Sequence, residues 1–197
     1  MGVAAINPLK FKTGPGLIRY APLLTAIPTF TAAASKVTAT WTSWVAVGST
    51  DEGLTYSEST DTEEVRAAES AYPIKVVTTG KTGSVAFSMN EIDDLNWKLA
   101  TNGGTITTSG AAATKLNVFV PPLVGAEVRV MLAFESADQD EVIIWPQVFN
   151  GGGFETARST LAAKHLLPVS FGVELPDPAV MTTPYKRWTS GNLATFV

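Results

Sequence analysis

Val128-Arg129-Val130-Met131-Leu132-Ala133-Phe134-Glu135, then the polar turn Ser136 to Asp140, then Glu141-Val142-Ile143-Ile144-Trp145, is the stretch that decides the fold. Val128, Val130, Leu132 and Phe134 alternate with Arg129, Met131, Ala133 and Glu135, which is the period-two signature of a strand. The second run returns after a short turn, so the pair reads as a hairpin. Moving outward, Leu167, Val169, Phe171 and Val173 give another alternating face. Val85, Phe87 and Met89 do the same after Thr79-Gly80-Lys81-Thr82-Gly83, whose glycines predict a hairpin turn back to Ile74-Lys75-Val76-Val77. Pro146 and Pro168 fall inside strand patterns and imply edge positions or bulges, where no ladder donor is needed.

A single helix stands out, over about 90–101. Asn90 suits an N-cap, Glu91, Asp93 and Asp94 put negative charge at the positive end of the dipole, and Ile92, Leu95, Leu99 and Ala100 share a face. Asn102-Gly103 stops it. Gly103 to Thr114, rich in Gly, Thr and Ala, reads as a long flexible loop. The fold class expected is mainly β: a sandwich or barrel with one flanking α-helix and extended arms at both ends.

The arms are read from proline. Pro8, Pro15, Pro22 and Pro28 punctuate the first 28 residues, and Pro176, Pro178 and Pro184 punctuate the end. These segments are apolar, with Leu9, Phe11, Ile18, Tyr20, Leu23, Leu24, Ile27 and Phe30 at one end and Tyr185, Trp188 and Phe196 at the other. They either fold back on their own core or dock on a neighbouring subunit. The expected division is an arm over 1–40, a β domain over 41–175 and an arm over 176–197.

Composition removes whole classes of function. The chain has 197 residues, 45% of them apolar and 16% charged, and no cysteine. A chain of this size buries roughly 70% of its unfolded surface, enough for one core. Disulfide scaffolds, cysteine-ligated zinc, iron–sulfur clusters and cysteine nucleophiles are excluded, and an apolar, weakly charged chain is not intrinsically disordered. The net charge of −4 gives no basic field for tight nucleic-acid binding. Met1 to Ile6 lacks a basic leader, and Tyr20 to Ser35, interrupted by Pro22 and Pro28, falls short of a membrane span, so membrane insertion is not expected.

Charge is concentrated in one segment. Asp51, Glu52, Glu58, Asp61, Glu63, Glu64 and Glu69 stand against Arg66 alone, so residues 51–69 carry −6 and the remainder +2. This segment is either a solvated loop or strand face, or an acidic surface that repels a polyanion or meets basic groups on a partner.

Catalytic constellations lack parts. His165 is the only histidine and no Gly-x-Ser-x-Gly elbow exists, so a serine triad has no support. Gly80-Lys81-Thr82 lacks the glycine five residues earlier that a phosphate-binding loop needs, since that position is Lys75. Asp138-Gln139-Asp140-Glu141 lacks the ligand spacing of a calcium loop and reads as a turn. Neighbouring carboxylates such as Glu63-Glu64 and Asp93-Asp94 serve as an acid/base pair only where folding sets them across a sugar-sized cleft, and neighbours on a strand face opposite ways, so a glycosidase has no support. No catalytic residue, metal or cofactor is assigned. Trp41, Trp44, Trp97, Trp145 and Trp188 are either anchors of a core or interface, or platforms for sugar rings.

The order of motifs resembles a known family. Gly16-Leu17-Ile18-Arg19-Tyr20-Ala21-Pro22-Leu23-Leu24-Thr25-Ala26-Ile27-Pro28-Thr29, then Trp44-Val45-Ala46-Val47-Gly48 and Asp51-Glu52-Gly53-Leu54, is similar to the N-terminal half of major tail proteins of long, non-contractile-tailed phages. Those proteins carry an Ala-Pro-Leu-Gly-Thr-x-Leu-Pro-Thr arm, a short strand ending in Gly, and an acidic Gly-Leu turn. The strand Ser84 to Met89, Glu91 opening a helix, and Asn102-Gly103 follow in family order. The resemblance covers about residues 16–104 by motif and reaches about 175 by strand pattern. Leu24 departs from it, standing where glycine is usual.

The resemblance implies a tail tube subunit: a β-sandwich with one helix, assembled as stacked hexameric rings whose strands close a barrel around a lumen. The tube would enclose a tape measure protein, meet tail terminator and tail tip proteins at its ends, and pass double-stranded DNA without specific binding. Such a protein is assembled in the bacterial host cytoplasm and resides in the virion tail. Pro22, Leu23, Leu24, Ile27, Pro28, Tyr185 and Trp188 are then the expected self-assembly arms. The carboxylates of 51–69 are expected at the lumen or ring junction, and Trp44, Gly48, Gly53 and Glu91 carry the family motif. A capsid decoration or head–tail joining protein is the alternative, with a carbohydrate-binding module behind it.

Overall fold

The computed structural model describes residues 15–33, 36–111, 114–153, 155–156 and 165–190. Its elements are β1 (Gly16–Pro22), β2 (Phe30–Ala33), β3 (Lys36–Ala39), β4 (Val45–Ala46), β5 (Thr50–Val65), β6 (Lys75–Met89), α1 (Asp94–Ala100), β7 (Thr105–Ser109), β8 (Leu116–Val120), β9 (Val130–Ser136), β10 (Glu141–Asn150), β11 (Leu167–Val173) and β12 (Lys186–Thr189). The protein is mainly β with one short helix among the described residues, as the sequence pattern indicates.

The deciding hairpin is β9–β10, with Val142 opposite Glu135 and Trp145 opposite Leu132. Ser136 holds its turn: its hydroxyl oxygen accepts from the Asp140 and Glu141 N–H groups and donates to the Asp140 carboxylate. β1 pairs along the other edge of β9, from Gly16 opposite Ser136 to Pro22 opposite Val130. β9 is therefore internal, and Met131, Leu132 and Ala133 are all buried. A strand covered on both faces needs apolar groups at successive positions, which is why its alternation is blurred.

All pairings in the main sheet are antiparallel, in the order β4-β1-β9-β10-β11-β6-β5, with β12 also on β10. β4 and β5, at opposite ends of that order, are separated only by residues 47–49. The Val47 N–H donates to the Ile18 carbonyl and the Asn90 N–H to the Ser49 carbonyl, so this strip passes from β1 to β6 and closes the sheet on itself. Inside lies one core, including Ile18, Val47, Val85, Phe87, Leu132, Trp145, Val169 and Phe171. A second core lies on the other face of β1, β9 and β10, around Val37, Trp44, Met131, Val142 and Ile144.

Both prolines expected at irregularities sit at such places. Pro146 lies in the register shift between Trp145 and Val148, where β10 exchanges one neighbour, β12, for another, β11. Pro168 lies in the part of β11 that pairs with β6 but not with β10.

Four sequence expectations are corrected. The helix begins at Asp94, and its N-cap is Asp93, whose carboxylate accepts the Asn96 N–H at 2.7 Å. Asn90, just past the end of β6, has its N–H and its side-chain amide bonded to Ser49 and does not cap. On α1, Leu95 faces outward and Asn96 inward, because the Asn96 amide donates to the Val47 and Glu91 carbonyls. Thr79 to Gly83 is no turn: β6 runs unbroken from Lys75 to Met89 against β5, and the reversal is at 66–74. The glycines relieve crowding across the pair, since a Cβ at Gly83 would meet Tyr56 and Val173 at 3.3 Å. Finally, 103–114 is not a loop throughout, because β7 pairs with β8 as a separate hairpin, as its threonines favour.

Candidate self-assembly surface

β5 and β6 are far longer than the barrel they close. The barrel uses Leu54 and Tyr56 against Phe87 and Val85, and beyond that the two strands continue as a ribbon. Every residue from Ser57 to Arg66 and from Ile74 to Thr79 is exposed. Nine residues of strand, 57–65, reach about 30 Å. A lone two-stranded ribbon is at best marginally stable in water. This one also exposes Val65, Tyr72, Ile74, Val76 and Val77, a tip whose apolar groups contact with another surface would cover.

The acidic segment is this ribbon. Glu58, Asp61, Glu63 and Glu64 are on the projecting part of β5, Asp51 and Glu52 at its root, and Glu69 in the reversal. Glu63 stands opposite Val77 and Glu64 opposite Val76, so adjacent carboxylates face opposite sides. At the root, the Tyr56 hydroxyl donates to Glu58 at 2.9 Å and Lys81 donates to the same carboxylate at 3.3 Å. The hydrogen bond from Tyr56, then that from Lys81, lowers the Glu58 pKa. Burial first, and the Glu58 carboxylate second, raise the Tyr56 phenol above its ordinary range. Tyr185 packs on Tyr56, 5.3 Å between ring centres, so the C-terminal segment meets the ribbon at its root.

The residues expected as assembly arms divide. Pro22 ends β1, inside the sheet, so the segment expected as an arm over 1–40 contains a central strand. Leu23 and Leu24 are exposed in a turn closed by Thr25 on the Pro22 carbonyl, and Leu24 has φ +65°. Ile27 and Trp188 pack on the second core, with Trp188 4.4 Å from Phe30 between ring centres, and Pro28, next to Ile27 in the chain, is half-buried. Leu9, Phe11 and Phe196 lie outside the described residues.

Of the motif residues, only Gly48 and Glu91 are in contact, at the barrel seam. Trp44 is buried in the second core, and Gly53 has φ +79° at the irregularity between Thr50 and Leu54. Gly48 and Glu91 touch: the Glu91 carboxylate accepts the Ser49 N–H at 3.0 Å beside Gly48. The remaining chemical candidates disperse. His165 is exposed just before β11, Asp93 caps α1, and all five tryptophans are at least half-buried, Trp41, Trp44, Trp145 and Trp188 within the cores. Three asparagines carried no sequence signal beyond Asn102 as a helix stop. Asn102 and Asn150 bond reciprocally, amide to carbonyl and N–H to side-chain oxygen, each at 2.8 Å, and with Asn96 they fasten α1 to the barrel.

A family model of phage tail tube proteins matches residues 9–174. The chain belongs to the phage tail tube protein family. A search of curated proteins finds no match. As a tail tube protein it is a structural component of the virion tail, and the family is not a class of enzymes. The match spans the closed barrel, the ribbon, α1 and the β7–β8 hairpin, so the projecting parts belong to the family's own domain. No helix among the described residues is long and apolar enough to cross a membrane.

Proposed function

We propose that copies of this tail tube protein assemble as hexameric rings, and that the rings stack into the tube of a long, non-contractile tail through which the genome is ejected. The observation that carries this reading is the β5–β6 ribbon: long, exposed on both faces, apolar at its tip, and attached to a barrel that is already complete. Such an element finds its stability in a neighbour. Leu23 and Leu24 at their exposed turn add contacts of the same kind. A tape measure protein inside the growing tube, terminator and tip proteins at its ends, and double-stranded DNA in transit are the partners this role requires.

The acidity of the ribbon suits the task. A lumen lined with cations would hold phosphates by releasing their counterions and stall the DNA, whereas carboxylates at the lumen or the ring junctions leave it free to slide. Negative-stain microscopy of the purified protein and of tails tests the proposal. Six-fold rings or tubes are expected, and a protein that is monomeric at every concentration and absent from tail tubes overturns it.

A further inference from the structure

The β7–β8 hairpin carries a second unpartnered apolar surface. Its register sets Thr105 opposite Val120, Thr107 opposite Val118 and Ser109 opposite Leu116, so these residues share one face. Leu116, Val118 and Val120 are 60, 46 and 53% exposed, whereas Ile106 and Phe119, on the opposite face, are half-buried. Two isolated strands with three exposed aliphatic side chains on one face form a contact surface, not a solvent surface.

Charge indicates what covers it. From 98 to 129 the chain holds Lys98, Lys115 and Arg129 against Glu127 alone, a net +2. Arg129 is engaged by Glu174, at 2.6 Å. Lys115 immediately precedes β8 and Lys98 lies on α1, and neither meets a carboxylate among the described residues. The ribbon has the opposite balance, seven carboxylates against Arg66, Lys75 and Lys81 over 51–81, a net −4. One of its faces presents Asp61, Glu63, Val65 and Val77, with Lys75 opposite Val65. The ribbon is thus net acidic, and the segment that carries β7 and β8 is net basic.

Resting on the tail tube assembly proposed above, we infer that the Asp61–Val65 face of the ribbon of one copy docks on the β7–β8 face of the next, with Val65 and Val77 against Leu116, Val118 and Val120. The net acidic ribbon then meets the net basic segment 98–129. The contact joins two different patches, so every copy offers one of each and the contact repeats head to tail. This is the geometry an extended assembly requires.

The chain has no cysteine, so introduced thiols report contacts directly. Val77→Cys and Val118→Cys variants, both at exposed positions, are mixed, assembled and oxidised, and disulfide-linked dimers are read on a non-reducing gel. Docking raises the effective concentration of the two thiols, so the mixed dimer should exceed the Val77→Cys/Ser170→Cys and Val77→Cys/Lys186→Cys controls by about ten-fold. In a second measurement, Lys98→Glu with Lys115→Glu should weaken assembly, and adding Asp61→Lys with Glu63→Lys should restore it. Tubes that form without the Val77–Val118 link, or that link equally through Ser170 or Lys186, overturn the docking while leaving the tube intact. Absence of any polymer and of any link overturns both.

Discussion

The carboxylate of Glu91 occupies the space that a side chain at Gly48 would fill: a Cβ there would lie 2.5 Å from the Glu91 carboxyl carbon. The glycine has φ +88°, and the adjacent Ser49 N–H donates to Glu91 at 3.0 Å. Two residues 43 positions apart thus interlock where the strip between β4 and β5 closes the barrel.

Gly48→Ala should therefore destabilise the barrel by about 2 kcal/mol or more, combining the left-handed backbone penalty with displacement of a hydrogen-bonded carboxylate. Denaturant unfolding measures it. Glu91→Ala opens space but removes the Ser49 acceptor, so the double variant should recover part of the steric loss and none of the hydrogen bond. A Gly48→Ala protein as stable as the parent contradicts the interlock.

Leu24 offers the opposite experiment. Its φ of +65° is a conformation glycine adopts without strain, and the residue is 67% exposed. Relief of strain, about 1–2 kcal/mol, exceeds the extra entropy glycine adds to the unfolded chain, about 0.4–1 kcal/mol. Leu24→Gly should thus raise the melting temperature slightly, and Leu24→Ala should not. If the leucine serves assembly, the stabler glycine variant polymerises less well, and unchanged polymerisation removes Leu24 from the assembly surface.

These residues show how far the sequence is legible. Two apolar runs, Val130 to Phe134 and Val142 to Trp145, joined by a short polar turn, give the central hairpin, although cores on both faces blur its alternation. The glycines of 79–83 misled, since glycine serves equally for a turn and for close cross-strand packing, and only the partner β5 distinguishes them. Asn90 suits a cap by residue type, but its bonds to Ser49 engage it elsewhere, and Asp93, read only as first-turn charge, takes the position. The acidic and apolar halves of the ribbon were visible separately, but their union required knowing that β5 and β6 pair over their whole length. The Asn102–Asn150 exchange spans 48 residues and leaves no local pattern.

The ribbon root predicts a pH dependence with two limbs. Glu58 has a lowered pKa, so its contribution to folding is full above the ordinary value of 4.5 and is lost as pH falls through the folded value. Tyr56 has a raised pKa, so its contribution is full below the ordinary 10.0 and is lost as pH rises above it, where the unfolded chain ionises first. Urea midpoints from about pH 3 to about pH 11 should fall at both ends. Tyr56→Phe should flatten the alkaline limb and, by removing the donor to Glu58, part of the acidic one. An alkaline limb identical in the parent and in Tyr56→Phe rejects the assignment.

Truncation separates the sheet from the arm. β1 pairs with β9 over its whole length and with β4, and it supplies Ile18 and Ala21, each no more than 1% exposed, to the two cores. Deleting residues 1–22 removes this strand and exposes an edge of β9, so the protein should fail to fold; burial of a side chain such as Ile18 alone is worth about 1.5–3 kcal/mol. Deleting residues 1–14 spares every described strand and should leave the circular dichroism spectrum and melting temperature close to those of the full chain. Tube formation then reports on the segment's role in assembly without interference from folding. Equal stability of the two truncations would show that β1 is dispensable to the barrel, which its position between β4 and β9 forbids.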